Sequence, residues 1–318
     1  IEHKPQKGDF PNIQSLVQHI FGEQYDLGMD YLQLLYLQPV QKLPILLLVS
    51  EERNTGKSTF LNFLKAIFQN NVTFNTNEDF RSQFNSDWAG KLLIVVDEVL
   101  LNRREDSERL KNLSTTLSYK VEAKGKDRDE ITFFAKFVLC SNNEYLPVII
   151  DTGETRYWVR KINQLKNDDT NFLQRLKNEI PAFLEYLQHR KLTTEKVSRM
   201  WFNPKQTETP ALRKIIRSNR NKLEIEVAEL IKEIMESVGI DFFSFCLNDL
   251  LNLLVASQVK AEKYWVRKIV TEYWKLPPAP NGLTYTTYQV DYTNQCRYSS
   301  FKRVGRFYTI TKKQLEEL

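Results

Sequence analysis

Leu43-Pro44-Ile45-Leu46-Leu47-Leu48-Val49-Ser50-Glu51-Glu52-Arg53-Asn54-Thr55-Gly56-Lys57-Ser58-Thr59-Phe60 is the stretch from which the fold is read. Residues 43–50 are a short apolar run closed by a polar turn, the pattern of a buried strand. From Thr59 onward Phe60, Phe63, Leu64 and Ile67 recur at helical spacing. The loop between them holds Asn54, Thr55, Gly56, Lys57, Ser58 and Thr59. Strand, polar loop, helix is the setting of a phosphate-binding loop: backbone N–H groups at the helix N-terminus, with the helix dipole behind them, face phosphate oxygens. There Lys57 is expected at the β- and γ-phosphates of ATP and the Ser58 hydroxyl on Mg²⁺. Glu51 departs from the usual pattern, which has a glycine at that place. The bland alternative is an ordinary loop-to-helix turn.

Working outward, the apolar run 92–96 ends in Asp97-Glu98. Such a strand end suits a second element on the metal side, with Asp97 supporting Mg²⁺ and Glu98 polarising the attacking water as general base. A third apolar run, 137–140, ends in Ser141-Asn142-Asn143. An amide there would orient the water or sense the γ-phosphate; Asn142 lies nearer the strand end, and the choice between Asn142 and Asn143 stays open. The bland reading is an Asn-rich turn before Pro147. Arg156 and Arg160 follow at a spacing of four in another strand candidate, 156–162, so they share one face. An arginine supplied to a neighbouring subunit neutralises charge on a transferred phosphoryl group. The alternative is a solvated arginine beside Asp151 or Glu154.

Composition limits the classes. The chain has 318 residues, 42% hydrophobic and 27% charged, with Gly 10 and Pro 11. Disordered, collagen-like and low-complexity chains are excluded, and the length suggests two domains. No apolar run approaches the ~20 residues of a membrane span. Three cysteines and three histidines, widely spaced, form neither a disulfide framework nor a metal cluster, and fit a reducing compartment. The net charge of +5 says little, but residues 260–313 hold eleven Lys/Arg against three Asp/Glu, interleaved with Tyr and Trp. That excess is the footprint of a polyanion partner. The chain opens at Ile1 rather than Met, which suggests a fragment of a longer protein.

The remaining stretches fill in the outline. Residues 1–42 are predicted helical, on Ile13, Leu16, Val17, Ile20 and Tyr31, Leu34, Leu35, Leu37. A helix is expected over 102–117, a hairpin around Gly125 over 119–133, and a strong amphipathic helix over 171–188. Residues 191–222 are polar, contain Pro204 and Pro210, and are expected to be a connector. Helices at 223–235, 247–254 and 261–273 lead to two strands, 284–290 and 306–311, joined by a basic loop. Three helices and a basic ribbon suggest a winged helix, with Lys260, Lys263, Arg267, Lys268, Lys302, Arg303 and Arg306 on its basic elements. Trp265, Tyr273 and Trp274 are expected in its core.

The order of the blocks 54–59, 94–98, 119–136 and 137–143, with Arg156 after them, resembles the superfamily 3 helicases of viruses, phages and plasmids. It is especially similar to the helicase half of phage- and poxvirus-type primase-helicases. The resemblance spans about residues 13–190 and implies an α/β fold: an AAA+-like P-loop ATPase core at 43–190. The N-terminal helical segment, 1–42, precedes it. The connector at 191–222 and the C-terminal winged-helix-like domain at 223–318 follow. It also implies a hexameric ring with ATP and Mg²⁺ between neighbours, Arg156 acting in trans, and movement on single-stranded and fork DNA. The hairpin would grip the strand with Lys120, Lys124, Lys126 and Arg128, although Asp127, Asp129 and Glu130 lie among them. The expected setting is the cytoplasm of an infected, bacterial host cell, with a primase domain N-terminal to this piece. Two rivals are a motor of the same fold that loads, initiates or packages without unwinding, and a non-hydrolysing DNA-binding scaffold disabled by Glu51.

Overall fold

Pro11 at the first helical turn opens α1 (Pro11–Phe21), and Gly22, at φ +50°, turns the chain into α2 (Tyr25–Leu37). Pro39 and Pro44 then break the helical pattern, and the apolar run becomes β1 (Ile45–Val49). There follow α3 (Lys57–Phe68), β2 (Val72–Asn75), β3 (Leu93–Val96), α4 (Arg104–Thr115), and a hairpin of β4 (Ser118–Val121) and β5 (Asp129–Thr132). Then come β6 (Lys136–Ser141), β7 (Tyr157–Lys161), α5 (Phe172–His189), α6 (Pro204–Thr207) and α7 (Pro210–Ser218). The computed structural model describes residues 2–80, 88, 90–101, 103–121, 129–151, 153–165, 169–219, 222–293 and 297–318. Contacts divide the chain into two compact units, Ile1–Asn219 and Arg220–Leu318.

The first unit is a mixed α/β structure built on a parallel sheet ordered β2-β3-β6-β1-β7. β1 stands between β6 and β7, so the chain leaves β1 for the far edge at β2 and later crosses back to β7. Open sheets of this kind bind ligands outside the strand C-termini, where the order reverses. All five β1 residues are buried because both faces are covered. Leu46, Leu48, Leu93, Val95, Val138 and Trp158 face a layer that includes α1, α2, α3 and α5. Ile45, Leu47, Ile94, Val96, Phe137 and Val159 face Phe80, Trp88, Leu110 of α4 and Leu212 and Ile215 of α7. The connector expected at 191–222 therefore differs: α7 is buried in this core through Leu212 and Ile215. Residues 193–194 are held by the buried Asp30 of α2, whose carboxylate accepts from the backbone and hydroxyls of Thr193 and Thr194 and pairs with Arg190.

The second unit has its own core. α8 (Lys222–Val238) packs Val227, Ile231 and Ile234 against Phe243 and Phe245 of β8 (Phe242–Phe245) and Leu250 and Leu254 of α9 (Leu247–Ala256). α10 (Lys263–Lys268) runs on as a π-helical turn through Tyr273, burying Val266, Ile269 and Val270. β9 (Leu283–Val290), β10 (Tyr298–Gly305), β11 (Tyr308–Thr311) and α11 (Lys312–Glu317) complete it. Three expectations fail here. The ribbon pairs β9 with β10, not with the expected strand 306–311, of which Tyr308–Thr311 pairs with β8 as β11. Residues 298–305, read as a loop, form a strand held by its ladder and by buried Tyr298, whose hydroxyl donates to Glu233 Oε1 at 2.9 Å. Trp265 is not in the core: it is 42% exposed, whereas Trp274 is buried with Nε1 donating to Glu224 Oε1 at 3.1 Å.

Candidate active site

β1, β3 and β6 are adjacent and parallel, so the three motif-bearing strand ends meet at one edge of the sheet. The loop leaving β1 uses left-handed backbone at Asn54 (φ +54°) and Gly56 (φ +78°). Gly56 is the N-cap of α3 and makes no side-chain cap, so the first-turn amides keep their donors directed outward with the helix dipole behind them. The loop is fastened from outside. Leu165 N donates to Asn54 O at 2.9 Å, Ile162 N to Val49 O at 2.9 Å, and His19 Nε2 meets Thr55 O at 3.0 Å.

Glu51 fits this loop. It does not adopt positive φ, and its side chain is exposed. Its amide donates to Glu144 Oε1 at 3.3 Å. The buried Glu144 also binds Lys161 Nζ at 3.1 Å and Lys214 Nζ at 2.8 Å. Burial pushes the Glu144 carboxyl up, but its hydrogen bonds from Lys214, Lys161 and the Glu51 amide outweigh that and hold it below its ordinary value. Sequence reading missed Glu144, because nothing in Asn143-Glu144-Tyr145 marks it as buried.

Lys57 is buried, with Nζ 3.4 Å from Ser50 O, and burial lowers its pKa against the opposing pull of Asp97 and Glu144. Ser58 Oγ donates to Asp97 Oδ2 at 2.7 Å, which joins the two motifs. Glu98 is exposed at φ +63°. Its turn is bridged by Asn77, whose Nδ2 donates to Glu98 O at 3.1 Å and whose Oδ1 accepts from Leu100 N at 2.9 Å. Asn77 was also missed; it lies in an unremarkable polar turn after β2.

The two asparagines separate. Asn142 Nδ2 reaches Glu98 Oε1 at 3.5 Å. Asn143 Oδ1 instead accepts from Tyr145 N at 2.8 Å and Leu146 N at 2.9 Å, an Asx turn that commits its side chain to the backbone.

The arginines separate too. Arg160 is buried and makes four bonds: to Ile20 O, Phe21 O, Glu23 Oε1 and Gln24 Oε1. It closes the C-terminus of α1, so the trans-acting reading is corrected for this residue. Arg156 precedes β7 at the opposite edge of the sheet, since Tyr157 pairs with Ile45 and Lys161 with Val49. That is roughly 16 Å of strand away from the 54–59 loop of the same chain. Its Nη1 contacts Glu154 Oε2 at 2.8 Å. Lys120 of β4 is exposed and lies opposite Glu130 in the hairpin register. Lys124, Lys126 and Arg128 lie outside the described residues.

Among the described residues, no group of three His, Cys, Asp or Glu side chains gathers to hold a metal, and no helix is long and apolar enough to cross a membrane. Residues 48–160 match the model of a family of unknown function, DUF5906. No curated protein matches the chain. Among solved structures, it is similar to the apo C-terminal region (305–718) of NrS-1, with a TM-score of 0.67 at 18% identity over 96% of this chain and 77% of that one. A second form of that region aligns with a TM-score of 0.66 at 20% identity, over 96% and 76%. At these identities the likeness is one of fold.

Proposed function

We propose that this chain is an ATP-driven motor from a phage or viral DNA-replication protein, working as a ring on single-stranded DNA. The observation that carries the reading is the Ser58–Asp97 contact beside the uncapped start of α3, with Glu98 next to it. The superfamily 3 resemblance and the fold shared with the NrS-1 C-terminal region support it.

The donor set fits Mg²⁺·ATP. Mg²⁺ would be held by the Ser58 hydroxyl and the Asp97 carboxylate, and supplies charge neutralisation to the β- and γ-phosphates. Lys57, kept dry by burial, adds an undiluted positive charge on the same oxygens. Glu98 accepts the proton of a water whose oxygen bonds the γ-phosphorus. The bond to the bridging oxygen breaks, and ADP leaves with the electron pair. Asn142 holds the Glu98 carboxylate toward that water. Arg156, remote from its own loop, serves a neighbouring subunit's phosphates.

The test is ATP hydrolysis with and without single-stranded DNA, comparing the parent with Glu98→Gln and Arg156→Ala. Expected is a DNA-stimulated rate that both changes abolish, with partial recovery when the two variants are mixed. A folded parent that hydrolyses nothing overturns the reading.

A further inference from the structure

The solvent face of α10 gathers aromatic and basic side chains. Val266, Ile269 and Val270 anchor the helix in the core, so its large exposed residues are not needed for packing. Tyr264 is 64% exposed and Trp265 42% exposed, their rings edge to face with centroids 5.1 Å apart. Lys263 and Arg267 are exposed and, one and three residues from Tyr264, lie on its flank of the helix, away from Trp265. Lys268 Nζ lies 5.5 Å from the Trp265 ring and 5.9 Å from the Tyr273 ring. The acids on this stretch are Glu262 and Glu272, the latter 4.0 Å from Lys268. Lone exposed apolar residues are ordinary. Two touching aromatic rings framed by three cations are not, and they match unpaired bases strung on phosphates: every base has a face to stack, and every linkage a charge to neutralise.

We propose that this face of α10 is a stacking platform for single-stranded nucleic acid, with Tyr264 and Trp265 taking bases and Lys263, Arg267 and Lys268 taking phosphates. A duplex hides its base faces and is a poor occupant. The platform belongs to the second unit and residues 54–59 to the first, so it is tested without ATP. Trp265 is itself the probe, because Trp88, Trp158, Trp201 and Trp274 are buried.

The experiment titrates the full chain with an oligothymidylate, following tryptophan emission and, with a labelled strand, anisotropy. The background carries Lys124→Ala and Lys126→Ala, which removes two of the hairpin's four expected contacts. Expected is quenching that disappears in Trp265→Phe although that variant still binds. Tyr264→Ala with Trp265→Ala should weaken binding about 10-fold or more. Lys263→Ala with Arg267→Ala should flatten the log–log salt slope by about 1.4, roughly 0.7 for each contact to a single strand. Unchanged Trp265 emission at saturating strand, parental affinity in the double aromatic variant, or stronger quenching by a blunt duplex would each overturn the proposal. None of these readouts requires hydrolysis, so loss of the motor reading leaves the platform standing or falling by itself.

Discussion

The side-chain amides of Asn142 and Asn143 hold different partners. Asn142 is turned to Glu98, whereas Asn143 is spent on the backbone of Tyr145 and Leu146. Asn142→Ala should therefore cut steady-state ATP hydrolysis about 100-fold with little change in melting temperature, as expected when one positioned donor is lost. Asn143→Ala should do the reverse, costing about 1 kcal/mol in chemical denaturation. Equal effects on both measurements would contradict the division. Glu144 makes a different case. Its carboxylate joins the Glu51 amide to Lys161 and Lys214, so Glu144→Ala removes the shared partner that ties three donors together. ATP binding should weaken about 10-fold, a loss of ~1.4 kcal/mol. The parent's interaction is present at neutral pH and fades as pH falls through a folded-state pKa below the ordinary carboxylate value.

At the scale of elements, the β4–β5 hairpin is clamped at its base. Arg109 of α4 donates to Phe80 O at 2.5 Å and Tyr119 Oη at 3.1 Å, and its guanidinium lies 5.9 Å from the Trp88 ring, which stacks on Tyr119. α4 follows the Asp97-Glu98 turn in the chain, so any coupling between the acid pair and the hairpin is expected to pass through this clamp. Arg109→Ala should lower DNA stimulation of hydrolysis about 2- to 30-fold while leaving the DNA-free rate near the parent's. Arg109→Lys should not restore it, because an ammonium cannot reproduce the planar fork. Comparing hydrolysis with and without strand checks both. What was legible in the sequence follows from element type. β1, β3 and β6 are covered on both faces and so read as unbroken apolar runs, and α3 and α5 bury regular stripes. β2 and β8 are four residues each, too short for a period to register. β10 is largely exposed, and α7 buries only Leu212 and Ile215 among Arg213, Lys214 and Arg217, so both read as loop. Arg156 and Arg160 have the same local spacing. What separates them is the end of α1, packed against β7 from far away in the chain, which no local pattern contains.

At the scale of the molecule, two separate cores imply two unfolding events. Calorimetry should resolve a transition for Ile1–Asn219 and another for Arg220–Leu318, and, on the proposed function, Mg²⁺·ATP should raise only the one that contains residues 54–59. The first unit also carries a pH dependence of its own. Lys42 donates to Phe133 O at 2.7 Å, and Lys136, at the start of β6, donates to Pro39 O. Burial brings Lys42 down to about 8 and Lys136 to about 7, the Lys42 charge adding to the latter. An unfolded lysine titrates near ~10.4, so between these values the unfolded chain binds more protons than the native one, and stability rises with pH. Below pH ~7 both amines are charged in the native core and the burial cost is full. The first unit's Tm should thus climb from pH 6 to pH 9 relative to that of the second. Lys136→Met removes one of the two buried charges while keeping a long apolar stem, and should shrink that climb by ~2–4 °C for each ~1 kcal/mol recovered. An unchanged slope in the variant would mean that Lys136 stays charged in the folded core, with the Pro39 carbonyl compensating its desolvation.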